Sequence, residues 1–219
     1  MTAKQAPIVV KLGGSLAEGE ARRLSSILKI VSAATRPCII VPGGGAFADA
    51  VRDAYRRHGL TQEVAHHMAL LAMHQTGMML AAMDGRLVCV ETLSAIRRVL
   101  AEERIPVWMP LKMSADDALI THDWKTTSDA LAARLAERLA RASVALVKSC
   151  PVDQQANAAA LSRAGIVDAT FPKIIARAKL DWRVLGVGEE DELTRLLGSG
   201  KEAARRTASG RRRAIRRKE

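Results

Sequence analysis

The 219-residue sequence predicts an α/β protein: a three-layer αβα sandwich around a central, mainly parallel sheet. Three observations lead there. Short, continuously apolar runs alternate with longer amphipathic segments, the pattern of strands buried on both faces. Glycines follow directly after the first two apolar runs, at the carboxyl ends of strands where such sheets bind ligands. Apolar residues make up 48% of the chain, enough for a substantial core, and no apolar run reaches the roughly 18 residues of a membrane span.

The elements follow in order. Ile8 to Leu12 reads as a buried strand ending at Gly13-Gly14. Residues 18 to 34 read as a helix, with Leu24, Ile27, Leu28 and Val31 at helical spacing. Cys38 to Val41 is a second strand, stopped by Pro42 and three glycines. Helices are expected over residues 46 to 57 and from Gln62 to Met83. Leu87 to Val90 is a strand, Thr92 to Glu103 a helix, and Val107 to Met109 a strand between two prolines. Asp116 to Lys125 reads as a loop. Thr127 or Ser128 then caps a helix through Arg141. Val144 to Val147 and Trp182 to Leu185 are strands, and Asp191 to Leu197 is the last helical piece.

Composition excludes some function classes. The net charge is +11, but residues 201–219 alone contribute +7, leaving +4 on the other 200 residues. That tail reads as a solvated, disordered extension. It allows contact with nucleic acid without making it the function. Aromatics are only 3%, too few for a base-stacking platform. Cys38, Cys89 and Cys150 lie far apart and form no disulfide framework. Met1 to Pro7 lacks a secretory pattern, and the expected location is cytoplasmic.

Three segments carry candidate chemistry. In Lys11-Leu12-Gly13-Gly14-Ser15 a lysine ends a strand, and glycines let backbone N–H groups approach a phosphate at a helix N-terminus. A plain strand-to-helix turn explains the same residues equally well. Pro42-Gly43-Gly44-Gly45-Ala46 repeats the arrangement. Gly43, Gly45 and Ala48, with Glu63 twenty residues on, imitate a dinucleotide fingerprint. The match fails because Glu63 opens a helix instead of ending a strand, and the motif does not follow the first strand. In Thr126-Thr127-Ser128-Asp129-Ala130-Leu131 the acid sits at a helix start. There it serves as a cap, or fixes active-site lysines; alone, the cap reading is favoured.

Taken together and in order, these segments resemble the amino acid kinase family: a strand with KxGGS, a strand with GGG, and [N/S]-D-x-L-A-A opening a helix. The resemblance extends over about residues 7–197. It implies a kinase domain over residues 1–200, with an acceptor half to about 142 and a nucleotide half from 143. It further implies ATP with Mg2+, a homo-oligomer of at least two copies, and phosphoryl transfer to a carboxylate or phosphate oxygen of a small-molecule acceptor. By position it implies Lys11 as a catalytic lysine and Asp129 as the group orienting the lysines. Gly13, Gly14, Ser15, Gly43, Gly44 and Gly45 would bind phosphate. For the second catalytic lysine Lys173 is the first candidate and Lys148 the other. Lys148 and Asp153 would lie at the nucleotide.

The sequence also departs from the family pattern. The stretch Val147 to Asp153 keeps only Val152-Asp153 of a commoner motif, so the adenine site is poorly marked. The nucleotide half is also short. The small size and His122-Asp123-Trp124 are most similar to the branch that phosphorylates an aminomethylfuran phosphate in methanofuran biosynthesis. Asp123 would then pair with the substrate ammonium and Trp124 cover its furan. Uridylate, isopentenyl phosphate and acetylglutamate kinases are the alternatives, as is a non-catalytic nucleotide-binding or storage protein. His67, His74 and the methionines from Met68 to Met83 read as packing or interface residues, since His67 and His74 lie too far apart to hold a metal alone. No metal ligands are assigned.

Overall fold

The computed structural model describes residues 5–199, except 19, 20, 116, 122, 124, 125 and 141. The first half runs β1 (Ile8–Leu12), α1 (Ser15–Glu18), α2 (Ala21–Ser32), β2 (Cys38–Pro42), α3 (Gly45–His58), α4 (Gln62–Met83), β3 (Leu87–Val90) and α5 (Leu93–Ala101). It continues β4 (Ile105–Trp108), α6 (Leu111–Ala115), α7 (Ser128–Leu139), β5 (Ser143–Val147), α8 (Ala158–Arg163), α9 (Phe171–Ala178), β6 (Trp182–Leu185) and α10 (Glu190–Leu197).

Six strands form one sheet in the order β3-β4-β2-β1-β5-β6, and every pairing is parallel. The strands are apolar along their length because both faces are covered. Val9, Ile39, Val41, Val144 and Leu146 point to the face packed by α7, α9 and α5. Ile8, Val10, Ile40 and Ala145 point to the opposite face, packed by α2 and α10. This is the three-layer sandwich that the sequence predicts. Among the described residues, no helix is long and apolar enough to cross a membrane.

Most elements lie where expected. The long helix α4 has the expected bounds, started by Thr61, whose Oγ1 accepts from Val64 N at 3.3 Å. Strand β4 begins two residues earlier than expected and includes Pro106. Proline is tolerated there because the N–H groups of Ile105 and Met109 bond Arg86 O and Val90 O on the β3 side. The missing N–H falls in the alternate set, facing β2. Four short helices go beyond the sequence expectation: α1, α6, α8 and α9. Asn157 caps α8, its Oδ1 accepting from Ala160 N at 2.9 Å.

Candidate active site

The two lysines of the site reach one place by strand alternation. Successive side chains on a strand point to opposite faces. Lys11 therefore shares the face of Val9, and Lys148, just past β5, shares that of Val144 and Leu146. β1 and β5 pair in register, Lys11 beside Leu146 and Leu12 beside Val147. Both ammonium groups thus emerge at the carboxyl edge of the sheet, under the first turn of α7. There Asp129 receives both: Lys11 Nζ lies 2.9 Å from Oδ1 and Lys148 Nζ donates to Oδ2 at 2.6 Å.

All three groups are largely withdrawn from water, with side-chain exposures of 7% for Lys11, 5% for Asp129 and 12% for Lys148. Burial alone would raise the carboxyl pKa, but the Lys11 and Lys148 charges override it and hold Asp129 below the usual carboxylate range. Lys148 is moved the other way. Burial and the Lys11 charge lower its pKa, and Asp129 and Asp168 only partly offset them.

The two glycine loops close over one another. A Cβ on Gly14 would lie 2.1 Å from Gly45 N, and one on Gly43 would lie 2.3 Å from Gly14 N. Only glycine permits this approach. The loops do not offer all the amides expected of them. Gly13 N donates to Val147 O at 3.0 Å and Gly43 N to Leu12 O at 2.8 Å, prolonging the sheet's own ladder. Phosphate binding by the Gly13 and Gly43 amides is therefore corrected: both are already bonded. Gly14, Ser15, Gly44 and Gly45 line the cleft. Ser15 Oγ also lies 2.6 Å from Ser149 Oγ, tying the first loop to the end of β5.

The cleft encloses about 660 Å3. Lys11, Asp129 and Lys148 line it together. Leu70, Met73 and Leu131 give it an apolar patch beside His66, and Asp49 and Arg52 of α3 also line it. Asp49 and Arg52 form an ion pair on one helix face.

Other expected site residues lie elsewhere. Lys173 is not brought to this group: it is exposed in the first turn of α9 and does not line the cleft. Asp153 lines a separate cavity of about 490 Å3 with Trp182 and Arg183. Asp123 Oδ1 accepts from Thr121 Oγ1 at 3.1 Å and is outside the cleft lining. Trp124 and the basic tail lie outside the described residues. The histidines of α4 take separate roles: His67 is exposed, and His74 Nε2 accepts from Leu111 N at 3.1 Å. Among the described residues, no three His, Cys, Asp or Glu side chains converge as a metal site.

Sequence reading missed Asp168, which stands on the cleft wall. Its Oδ2 accepts from Thr127 N, Thr127 Oγ1 and Ala130 N at 2.8 to 3.0 Å. Its Oδ1 accepts from Thr170 N at 3.1 Å and Phe171 N at 2.8 Å. Burial and the neighbouring Asp129 charge push its pKa up, against those donated bonds. The local signal was indirect: Thr170 and Pro172 mark a helix start, and Asp168 lies two residues before that cap.

Comparison with known proteins gives the family and the fold. The model of the amino acid kinase family matches residues 6–151. A curated relative from Methanocaldococcus jannaschii, named [5-(aminomethyl)furan-3-yl]methyl phosphate kinase, is 28% identical over 123 residues. That match covers 56% of each chain, so the alignment spans little more than half of the relative. Among solved structures, a uridylate kinase from Archaeoglobus fulgidus superposes with a TM-score of 0.61 at 18% identity, over 85% of this chain and 93% of that one. A UMP kinase from Bacillus anthracis gives 0.60 at 17%, over 90% and 94%. At these identities the solved structures establish the fold.

Proposed function

The chain belongs to the amino acid kinase family, a family of ATP-dependent phosphotransferases, and from that premise we propose that it transfers the γ-phosphoryl group of ATP to the phosphate of [5-(aminomethyl)furan-3-yl]methyl phosphate. The observation that carries the reading is the Lys11–Asp129–Lys148 group between two glycine loops. Two buried ammonium groups and the cleft-facing loop amides make a donor set suited to a polyphosphate. Bound ATP with Mg2+ supplies the electrophilic phosphorus and a leaving group neutralised by the metal.

The protein's own part is positioning and charge. Lys11 and Lys148, held together by Asp129, stabilise the equatorial oxygens as charge spreads over them. The Gly14, Gly44 and Gly45 loops hold phosphate oxygens, with Ser15 beside them. Asp129 stays anionic and orients the lysines; it does not accept a proton. Asp129 is bonded to two lysines and Asp168 to five donors, so both carboxylates are committed within the protein, and a Mg2+ ion would have to be held chiefly by the nucleotide, where it would neutralise phosphate charge. Lys148 takes the place of second catalytic lysine ahead of Lys173. The patch of Leu70, Met73 and Leu131 suits an apolar ring. Asp49 is a cleft-lining carboxylate placed to meet an ammonium, and takes precedence over Asp123. Asp117 is unsuited, since both its oxygens bond Arg134.

The M. jannaschii relative supports this acceptor, and the uridylate kinases keep UMP as the second candidate. A homo-oligomer is proposed through α4, where Val64, Leu71 and Met78 are exposed at seven-residue spacing. The testing experiment is a coupled ADP-release assay over aminomethylfuran phosphate, UMP, isopentenyl phosphate and acetylglutamate. Preference for the furan supports the proposal. Turnover of UMP alone overturns the acceptor and leaves the phosphotransferase reading standing.

A further inference from the structure

Neither α7 nor α9 is capped by its own N-terminal residue. Thr127 and Thr170 occupy the two cap positions, and neither side chain accepts a bond from its helix. A helix start leaves N–H groups that need acceptors. One carboxylate supplies them for both helices. Asp168 Oδ2 serves Thr127 N and Ala130 N of α7, and Oδ1 serves Thr170 N and Phe171 N at the start of α9. Thr127 reverses its usual role and donates its hydroxyl to Asp168 at 2.8 Å. Asp129, the residue that holds both lysines, sits inside the turn fixed this way, between Thr127 and Ala130.

The placement has an electrostatic consequence. Two helix N-termini converge on one point beside a phosphoryl-transfer cleft, and such convergence attracts anions. Asp168 already fills that point with a built-in anion, and leaves phosphate oxygens to the glycine loops and lysines. The Lys148 ammonium is faced by Lys11 from β1, Asp129 from α7 and Asp168 from the segment before α9.

We propose that Asp168 is a positioning residue for phosphoryl transfer: by co-capping α7 and α9 it locks Asp129, and through Asp129 both lysines, in the productive arrangement. The catalytic part of this rests on the kinase reading above; the co-capping part does not. Misplacing a catalytic group by about 1 Å can cost on the order of a hundredfold in rate. Asp168→Asn keeps the shape and loses acceptors, since the amide nitrogen cannot accept from N–H groups.

The experiment compares wild type, Asp168→Asn and Thr127→Val, which loses only the hydroxyl bond. Amide hydrogen exchange is read at Thr127, Ala130, Thr170 and Phe171, together with kcat, KM and the pH–rate profile. Asp168→Asn keeps one acceptor oxygen, so it is expected to exchange faster at one pair of amides, Thr127 with Ala130 or Thr170 with Phe171, and to lose about 10- to 100-fold in kcat. Its alkaline limb should move to lower pH, because Lys148 loses one of two facing carboxylates. Thr127→Val should fall between. Ile96→Val, on the buried face of α5, controls for general destabilisation and should move neither the profile nor these amides. Unchanged exchange in Asp168→Asn overturns the co-capping, whatever the activity. Faster exchange with unchanged kcat and pH profile overturns the positioning role. If wild type phosphorylates none of the acceptors, the kinase reading and the positioning role fail together, and exchange still decides the co-capping.

Discussion

Replacing Lys148 by methionine removes one of two ammonium groups from Asp129 while keeping length and most of the volume. The ammonium lost is the one bonded to Asp129 Oδ2 at 2.6 Å, on a side chain only 12% exposed. Two costs follow. Deleting one preorganised donor to the developing charge is worth about 2.7–4 kcal/mol, or roughly 10²–10³ in kcat. Removing a partner from a buried ion pair also destabilises the fold, by about 3–5 kcal/mol when a bare charge is left. Here the cost should be smaller, because Asp129 keeps Lys11 at 2.9 Å. Lys148→Met should therefore remain folded by thermal melting and lose at least about a hundredfold in kcat. Lys173→Met removes a charge from an exposed position on α9, and should change kcat by no more than about threefold, the scale of a peripheral surface charge. The assay is ADP release at saturating ATP, with whichever acceptor wild type turns over best. Near-normal turnover by folded Lys148→Met, with loss in Lys173→Met, would refute the assignment and restore Lys173.

Asp129→Asn should keep the start of α7, since Asn is tolerated there, yet lose at least about a hundredfold in kcat, because a neutral amide cannot hold two like charges together; full turnover would reduce Asp129 to a helix-start residue. Asp49→Asn should raise KM for an ammonium-bearing acceptor by about 10- to 150-fold, the range for a charged hydrogen bond, whereas Asp123→Ala should move it little; steady-state kinetics reporting the opposite ranking would return the ammonium to Asp123. His74 is held below its ordinary pKa by burial, against the opposing Glu91 charge, and its neutral Nε2 accepts from Leu111 N. The unfolded chain then binds more protons, so its contribution is present above about pH 6.5 and lost as pH falls through the lower folded value; His74→Gln, which can still accept that bond, should flatten the melting temperature between pH 7 and 5 relative to wild type, and identical slopes would exclude His74.

The sequence by itself determined the layered parallel sheet, because strands buried on both faces must be apolar throughout and helices must be amphipathic. The run Ile8 to Leu12 and the periodicity of α4 were legible for that reason. It also determined that glycines and Lys11 end a strand, since alternation and turn chemistry are local. The convergence on Asp129 is different in kind. Asp129 and Lys148 are nineteen residues apart in sequence, and nothing local says that β5 pairs with β1 in the register that sets Leu12 beside Val147. Lys173, in an appealing motif, was preferred until the fold put it on the outside of α9. The Gly13 and Gly43 amides looked available because glycine marks close backbone approach; the structure shows that what approaches is other backbone, Val147 O and Leu12 O. Asp168 was least visible. Its role is to satisfy two helix starts, one of them about forty residues earlier in the chain, and only tertiary packing can bring one carboxylate to both.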